Sequence, residues 1–375
     1  MKPFTRLLTR ICILMPTKYT PIATTIYLEI ASAVDVVPVS YQIGISKEEC
    51  ASGTVAHTAH KMTTQYLVTG GAGFIGSHIV SALLERGESV RVFDNLTTGR
   101  KSNLKALKAD VHFIEGDLRD FDSVREAIRG VEVIFHQAAL ASVPRSIADP
   151  ILSLETNING TQNVLLAARD AGVRRVVYAS SSSVYGNMPI LPKHEAMPTR
   201  PMSPYAVQKL TGELLCGVFT QIYGLETVAL RYFNVFGPRQ DPASEYAAVI
   251  PRFLTAIIKG RRPIVFGDGE QTRDFTYIAN VVQANLLAAS SQDAVGYAIN
   301  IGCGEQISLN TVLRIVGELL GIVVTAEYRD SRPGDVRDSL ADISLAQRLL
   351  GYEPVIGFRE GLAHTLDALA QTLSK

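Results

Sequence analysis

Tyr205 and Lys209 stand four residues apart in Ser-Pro-Tyr-Ala-Val-Gln-Lys-Leu, so a helix here carries a phenol and an ammonium on one face. Such a pair suits the removal of a proton from an alcohol, provided that the phenol ionises below its usual pKa of about 10. The ammonium lowers it, by roughly 1–3 units when a second positive charge helps. Upstream, Gly70, Gly71, Gly73 and Gly76 lie between a strand-like stretch and a helical one. They read as G-x-x-G-x-x-G from Gly70 or as G-x-G-x-x-G from Gly71. Glycines there let the backbone approach a pyrophosphate, which rests on the N-terminus of the following helix. Asp94 ends the next strand, where a carboxylate accepts both hydroxyls of an adenosine ribose and disfavours a 2′-phosphate. Asn95 rather than arginine follows it, so NAD is favoured over NADP. An oxidised nicotinamide then supplies the second positive charge and takes the hydride as Tyr205 takes the proton.

One run reads two ways. Ser180–Ser183 lies in Ala-Ser-Ser-Ser-Ser-Val-Tyr-Gly, directly after the apolar Arg-Arg-Val-Val-Tyr-Ala. Four hydroxyls suit a linker. A buried strand ending there would instead put them at the sheet edge where ligands bind in open α/β folds.

The elements that must hold these groups alternate along the chain. Residues 65–69, 89–94, 111–115, 131–136, 173–180 and 226–233 read as short buried strands, and 75–86, 121–129, 151–171 and 204–222 as helices. Alternation of this kind means an α/β fold: a doubly wound parallel sheet with helices on both faces. After residue 234 the elements shorten and Gly-Pro and Arg-Pro pairs appear, as in a smaller cap. The expected division is 62–234 for cofactor binding, with later segments returning to it, and 235–375 mainly for the cap. Residues 1–61 are expected to lie outside the fold, because Met62 stands a few residues before the first strand. Their apolar patches fall short of the ~18 uninterrupted residues that span a bilayer.

Composition narrows the function further. The 375 residues are 47% hydrophobic and 19% charged, with 36 basic and 36 acidic side chains. That balance gives no field for nucleic acid or an anionic membrane. Cys12, Cys50, Cys216 and Cys303 form no paired spacing, so neither a metal site nor a disulfide framework is suggested, and a cytoplasmic location fits.

Thr-Gly-Gly-Ala-Gly-Phe-Ile-Gly-Ser-His, Asp-Asn-Leu-Thr-Thr-Gly, Gly-Asp-Leu-Arg-Asp, His-Gln-Ala-Ala, the serine run, Ser-Pro-Tyr-Ala-Val-Gln-Lys and Leu-Arg-Tyr-Phe-Asn-Val-Phe-Gly-Pro-Arg-Gln-Asp-Pro occur in order. In this the chain, from about 64 to about 372, resembles the extended short-chain dehydrogenase/reductase family, and within it the nucleotide-sugar 4-epimerases. The resemblance implies a Rossmann-type sheet with a C-terminal substrate-binding α/β cap, a tightly held NAD and a UDP-sugar substrate. It implies cofactor contacts at Gly70, Gly73, Phe74, Ile75, Asp94, Asn95, Asp117, Leu118, Gln137, Ala138 and Ala139. Tyr205 becomes the acid/base, Lys209 the holder of the nicotinamide ribose and tyrosinate, and Ser181 the hydroxyl that shares the substrate proton. Asn234 and Gln240 line the sugar-nucleotide cleft, Arg273 and Arg332 grip the diphosphate, and Asp335 accepts from the uridine ribose.

Related dehydratases carry Asp-Glu after the active-site hydroxyl, and decarboxylases tend to carry Ser-Glu. Here Ser182 and Ser183 follow Ser181, which leaves reversible epimerisation at C4 through a 4-keto sugar. Ser339 stands where relatives restricted to plain hexoses carry tyrosine, and Ser142 matches a position that contacts a 2-acetamido group, so N-acetylhexosamines are expected to fit. The alternatives are a UDP-glucuronate 4-epimerase or decarboxylase, with Arg145, Arg239 or Arg337 facing the carboxylate, and a non-enzymatic NAD(P)-sensing scaffold. Relatives pair helices corresponding to 151–171 and 204–222, so a homodimer is expected.

Overall fold

The computed structural model describes residues 65–105, 107, 111–241, 248–331 and 336–373. The expectations for 1–61, for the start at Met62, and for Arg332 and Asp335 lie outside the described residues.

In chain order the first elements are β1 (Gln65–Thr69), α1 (Phe74–Glu85), β2 (Ser89–Asp94), α2 (Lys101–Lys105), β3 (His112–Glu115), α3 (Phe121–Ile128) and β4 (Val133–His136). Then follow α4 (Val143–Ala148), α5 (Pro150–Leu154), α6 (Gly160–Asp170), β5 (Arg175–Ser181), α7 (Pro204–Tyr223) and β6 (Glu226–Tyr232). The strands form one parallel sheet in the order β3-β2-β1-β4-β5-β6, and a seventh strand, Ala298–Ile301, pairs with β6. That seventh strand comes from beyond residue 235 and was not among the strands expected from alternation. Its Ala-Ile-Asn-Ile is too short for a periodic signal, and only its neighbour β6 makes it a strand.

The strands are apolar on both faces because helices cover both. All four residues of β4 are buried, and the Val176–Ala179 stretch of β5 is too. The order reverses between β1 and β4, and the crevice beyond the C-terminal ends of those strands is where such a fold takes a ligand. The glycine-rich turn follows β1, Gln137–Ala139 follow β4, and the serine run ends β5.

α7 presents the Tyr205–Lys209 face to this edge. Ser203 caps its start by accepting from the Ala206 N–H, Pro204 occupies the first turn, and Gly224 at φ 71° ends it. Its approach to the sheet is close: a Cβ on Gly212 would run into the Tyr178 hydroxyl of β5.

The helix expected over 151–171 is interrupted. Residues Glu155–Asn159 form a π turn between α5 and α6. Asn157, buried in that turn, accepts from the Leu140 N–H at 2.8 Å and donates to Gln208 Oε1 of α7 at 2.7 Å. The wider turn aims its amide at both partners at once, and periodicity alone gives no sign of it.

Candidate active site

The Gly70–Gly76 turn is shaped by sterics. Gly70 adopts φ +67°, its N–H donates to Phe93 O at 2.8 Å, and Gly73 N–H returns to Gly70 O at 3.0 Å. A Cβ on Gly70 would enter the Gln137–Ala138 backbone, and one on Gly76 would strike the Gly70 carbonyl. The turn therefore lies bare against the end of β4. Asp94 is 7% exposed; Oδ2 accepts from Ala72 N at 3.0 Å and Oδ1 from Leu96 N at 2.8 Å. Burial pushes its pKa above the usual carboxylate value, against the pull of those two N–H groups. Asn95 donates to Asp117 at 3.0 Å, and the Arg119 guanidinium holds Asp117 down to about 2.

The eleven cofactor residues read from the sequence between Gly70 and Ala139 all line one cleft of about 730 Å³, and Ser142, Arg145, Arg239 and Gln240 join them. Across its rim Arg100 pairs with Asp241 at 2.7 Å. The residues fit a dinucleotide on two counts. The bare glycine turn leaves backbone N–H groups for phosphate oxygens. Gln240 donates to Val235 O at 3.2 Å, while its buried Oε1 has no hydrogen-bond partner among the described residues, as suits an acceptor for a ligand.

At the end of β5 the side chains expected to react come together. The Ser181 hydroxyl acts on the Tyr205 phenol, drawing its pKa down, and Lys209 Nζ lies 5.9 Å from the Tyr205 ring centroid while donating to Ala179 O at 2.7 Å. Burial pushes the Tyr205 phenol up to about 12, with Ser181 pulling the other way. It brings the buried Lys209 ammonium down to about 8. The lowering expected from the sequence, with an oxidised nicotinamide beside the ammonium, is thus not achieved by the protein alone, because burial outweighs the pull of Ser181. The second positive charge becomes a requirement. Ser181 Oγ accepts from Ser183 N at 3.2 Å, which folds Ser182 and Ser183 into a 3₁₀ turn beside it. The run is therefore no linker.

A second cavity, of about 270 Å³, opens on the cap side between Asn234, Gln271 and Arg273, with Phe266 and Phe275 among its walls. Arg273 Nη1 donates to the carbonyls of Thr272 and Arg337, both at 2.8 Å. Asn234, at φ +30°, donates to Asp274 O and to Ser339 Oγ, both at 3.1 Å, so the structure brings Ser339 against the cleft residue 105 positions before it. Of the three cations considered for a sugar carboxylate, Arg337 pairs with Asp268 at 3.1 Å and Arg239 donates to Ser77 O at 2.9 Å. Arg145 and Arg239 line the dinucleotide cleft, whereas Arg337 lines neither cavity.

Sequence reasoning missed Asp274, whose buried carboxylate accepts N–H bonds from Cys303, Gly304 and Ala341 and is pushed up to about 6 by burial. It also missed Glu213 and Arg231. The signal for these two was present: each places a charge inside a largely buried element, and buried charges come paired.

The family model described as the NAD dependent epimerase/dehydratase family matches residues 66–302. A putative UDP-glucose 4-epimerase of Methanocaldococcus jannaschii is 41% identical over 303 residues, which is 80% of this chain and 97% of that protein. Among solved structures, the UDP-N-acetylglucosamine 4-epimerase of Methanobrevibacter ruminantium, in complex with UDP-N-acetylmuramic acid, superposes with a TM-score of 0.79 at 41% identity. It covers 83% of this chain and 99% of its own. The UDP-glucose 4-epimerase of Thermus thermophilus, in complex with NAD, gives 0.75 at 40% identity over 81% of this chain and 98% of its own.

Proposed function

Because the chain belongs to the NAD-dependent epimerase/dehydratase family, we propose that it is an NAD-dependent isomerase that inverts C4 of a UDP-sugar through a 4-keto intermediate. The observation that carries this reading is the convergence of Ser181, Tyr205 and Lys209 at the end of β5, with serines and no carboxylate in the two positions after Ser181. NAD, when bound, accepts the C4 hydride and returns it to the opposite face of the sugar.

The protein's own part is proton transfer and positioning. Ser181 hydrogen-bonds the 4-hydroxyl, and Tyr205 takes its proton. Lys209, charged below a pKa of about 8, keeps the tyrosinate from recapturing that proton until hydride returns. Neutral Ser182 and Ser183 give the ketone no acid or base for losing water, so the cycle closes by reversal. Asn234, Gln240 and Arg273 hold the sugar nucleotide while the sugar turns, with Arg273 toward the diphosphate. Small side chains at Ser339 and Ser142 leave room for a 2-acetamido group, so UDP-N-acetylglucosamine and UDP-N-acetylgalactosamine are substrates beside the plain hexoses.

The reading includes a cytoplasmic homodimer. No described helix is long and apolar enough to cross a membrane. Ile147, Ile151 and Leu154 on one side and Leu214, Val218 and Ile222 on α7 are exposed, with Ile151 and Ile222 at 72% and 69%. Sedimentation at micromolar concentration checks this, a monomer counting against it.

The test of function is a panel of UDP-sugars given to purified protein beginning at Met62, without added cofactor. NAD copurifies in near-stoichiometric amount, and the gluco and galacto forms interconvert. Decarboxylation of UDP-glucuronate instead, or no turnover of any sugar, would overturn the reading.

A further inference from the structure

Behind Ser181 lies a chain of buried polar groups that takes no part in the chemistry above. Glu213 follows Lys209 by four residues on α7 and is 9% exposed, on the same face of the helix as Tyr205. Its Oε2 accepts from Arg231 Nη2 at 2.7 Å, and its Oε1 accepts from Arg231 Nε at 2.9 Å and from Ser180 Oγ. Arg231 Nη1 donates to the Tyr185 hydroxyl at 2.8 Å, which donates to Asn300 Oδ1 at 2.7 Å. Asn300 Nδ2 in turn donates to Lys193 O at 2.9 Å and Asp342 O at 3.3 Å. One network therefore joins α7, the end of β5, β6, the strand Ala298–Ile301 and the segment just after Ser339.

We propose that Glu213, fixed by Arg231, is a positioning residue for the epimerase reaction: by holding Ser180 it sets where the neighbouring Ser181 meets Tyr205. The end of β5 is fastened to α7 at two consecutive residues, Ala179 through Lys209 and Ser180 through Glu213, so Ser181 extends from a doubly anchored strand. A bidentate Glu–Arg pair is stiffer than a single contact, because the planar fork fixes direction as well as distance. A buried ion pair is weak evidence for stability in itself, since hydrophobic residues of similar volume often do as well. A pair whose spare acceptor capacity is turned onto the residue beside the reacting hydroxyl has a second use. Displacing a reacting group by ~1 Å costs up to about 100-fold in rate.

The inference rests on the 4-epimerase reading, and two variants test it on the full chain. Ser180→Ala removes the hydroxyl and leaves the Glu213–Arg231 pair whole. Its kcat should fall about 5- to 10-fold, with KM for the UDP-sugar and the bound NAD unchanged. Glu213→Gln keeps the shape but loses the charge, and its kcat should fall further. In addition Lys209 loses a neighbouring carboxylate that favours its charged form, so the alkaline limb of the kcat profile should move to lower pH. Wild-type kcat in Ser180→Ala overturns the proposal, and that variant alone decides if Glu213→Gln does not fold. Should wild-type protein turn over no UDP-sugar, the functional reading fails separately. A crystal structure of Ser180→Ala then decides: Ser181 Oγ shifted by more than about 0.5 Å supports the proposal, and an unmoved Ser181 ends it.

Discussion

The cofactor side of the active cleft and its sugar-nucleotide side differ in how they are built. The cofactor side draws on the turns that follow β1, β2, β3 and β4, between Gly70 and Ala139, and its shape is a backbone shape. Glycines are bare where side chains have no room, and one carboxylate, Asp94, ties down two loops. The other side is assembled from loops far apart in the chain, with Asn234 bonded to Ser339 Oγ and Asp274 O, Arg273 to Arg337 O and Gln271 to Phe266 O. A backbone site tolerates almost no change and binds one thing. A side-chain site can be re-cut by a single substitution, which is where relatives of one fold would diverge in substrate.

That contrast sets the expected order of effects. Tyr205→Phe, at the junction of the two sides, removes the proton acceptor and should lower kcat by about 10²–10⁴ while NAD still copurifies. Loss of NAD there would blur the division. Gly76→Ala attacks the cofactor side alone: the new methyl meets the Gly70 carbonyl, so bound NAD should be lost and stability to urea should fall by about 1–3 kcal/mol. Lys209→Met probes the boundary through pH. The folded pKa of Lys209, about 8, lies below its ordinary 10.5, so the unfolded chain binds the extra proton between those values. Wild-type stability should therefore rise relative to the variant by about 1–3 kcal/mol as pH climbs from 8 to 10.5, read from paired urea melts. Below pH 8 the cost of burying the ammonium is present in full.

On the sugar side, Ser339→Tyr should cut turnover of the acetamido sugars by about tenfold or more and spare the plain hexoses, measured as the ratio of kcat/KM values. Unchanged selectivity would remove Ser339 as the gate. The smallest effect belongs to the rim. Asp241→Ala breaks an exposed ion pair with Arg100 and should speed NAD release only two- to threefold, less so in high salt, by stopped-flow fluorescence.

The same contrast explains what could be read from the sequence. β1 to β6, the glycine turn, Asp94 and the Tyr205–Lys209 pair were legible because each depends on local spacing, with a period of two or 3.6 and punctuation by glycine. The strand Ala298–Ile301 was not, since four residues carry no period and its partner is 69 positions away at Ala298↔Ala229. Nor could the buried Ser180 be paired from the sequence, since its hydroxyl is turned to Glu213 of α7, 33 positions along the chain. The phenol of Tyr205 was expected to be acidic beside an ammonium and an oxidised nicotinamide; how far burial raises it in the protein alone was not legible, because desolvation depends on everything packed around a group.

The π turn at Glu155–Asn159 can be regarded as a phase shift. With one residue beyond the α repeat, the helix after it is rotated by roughly 100° relative to an uninterrupted continuation. Before the shift, Ser153 donates to Gln208, next to Lys209; after it, Asn163 donates to Leu118 O at the far end of the cleft. A single helix in one phase would serve one end or the other. Straightening residues 155–159 into an unbroken α repeat, with none removed, would leave a more regular helix, and one out of step with half of the molecule it has to hold.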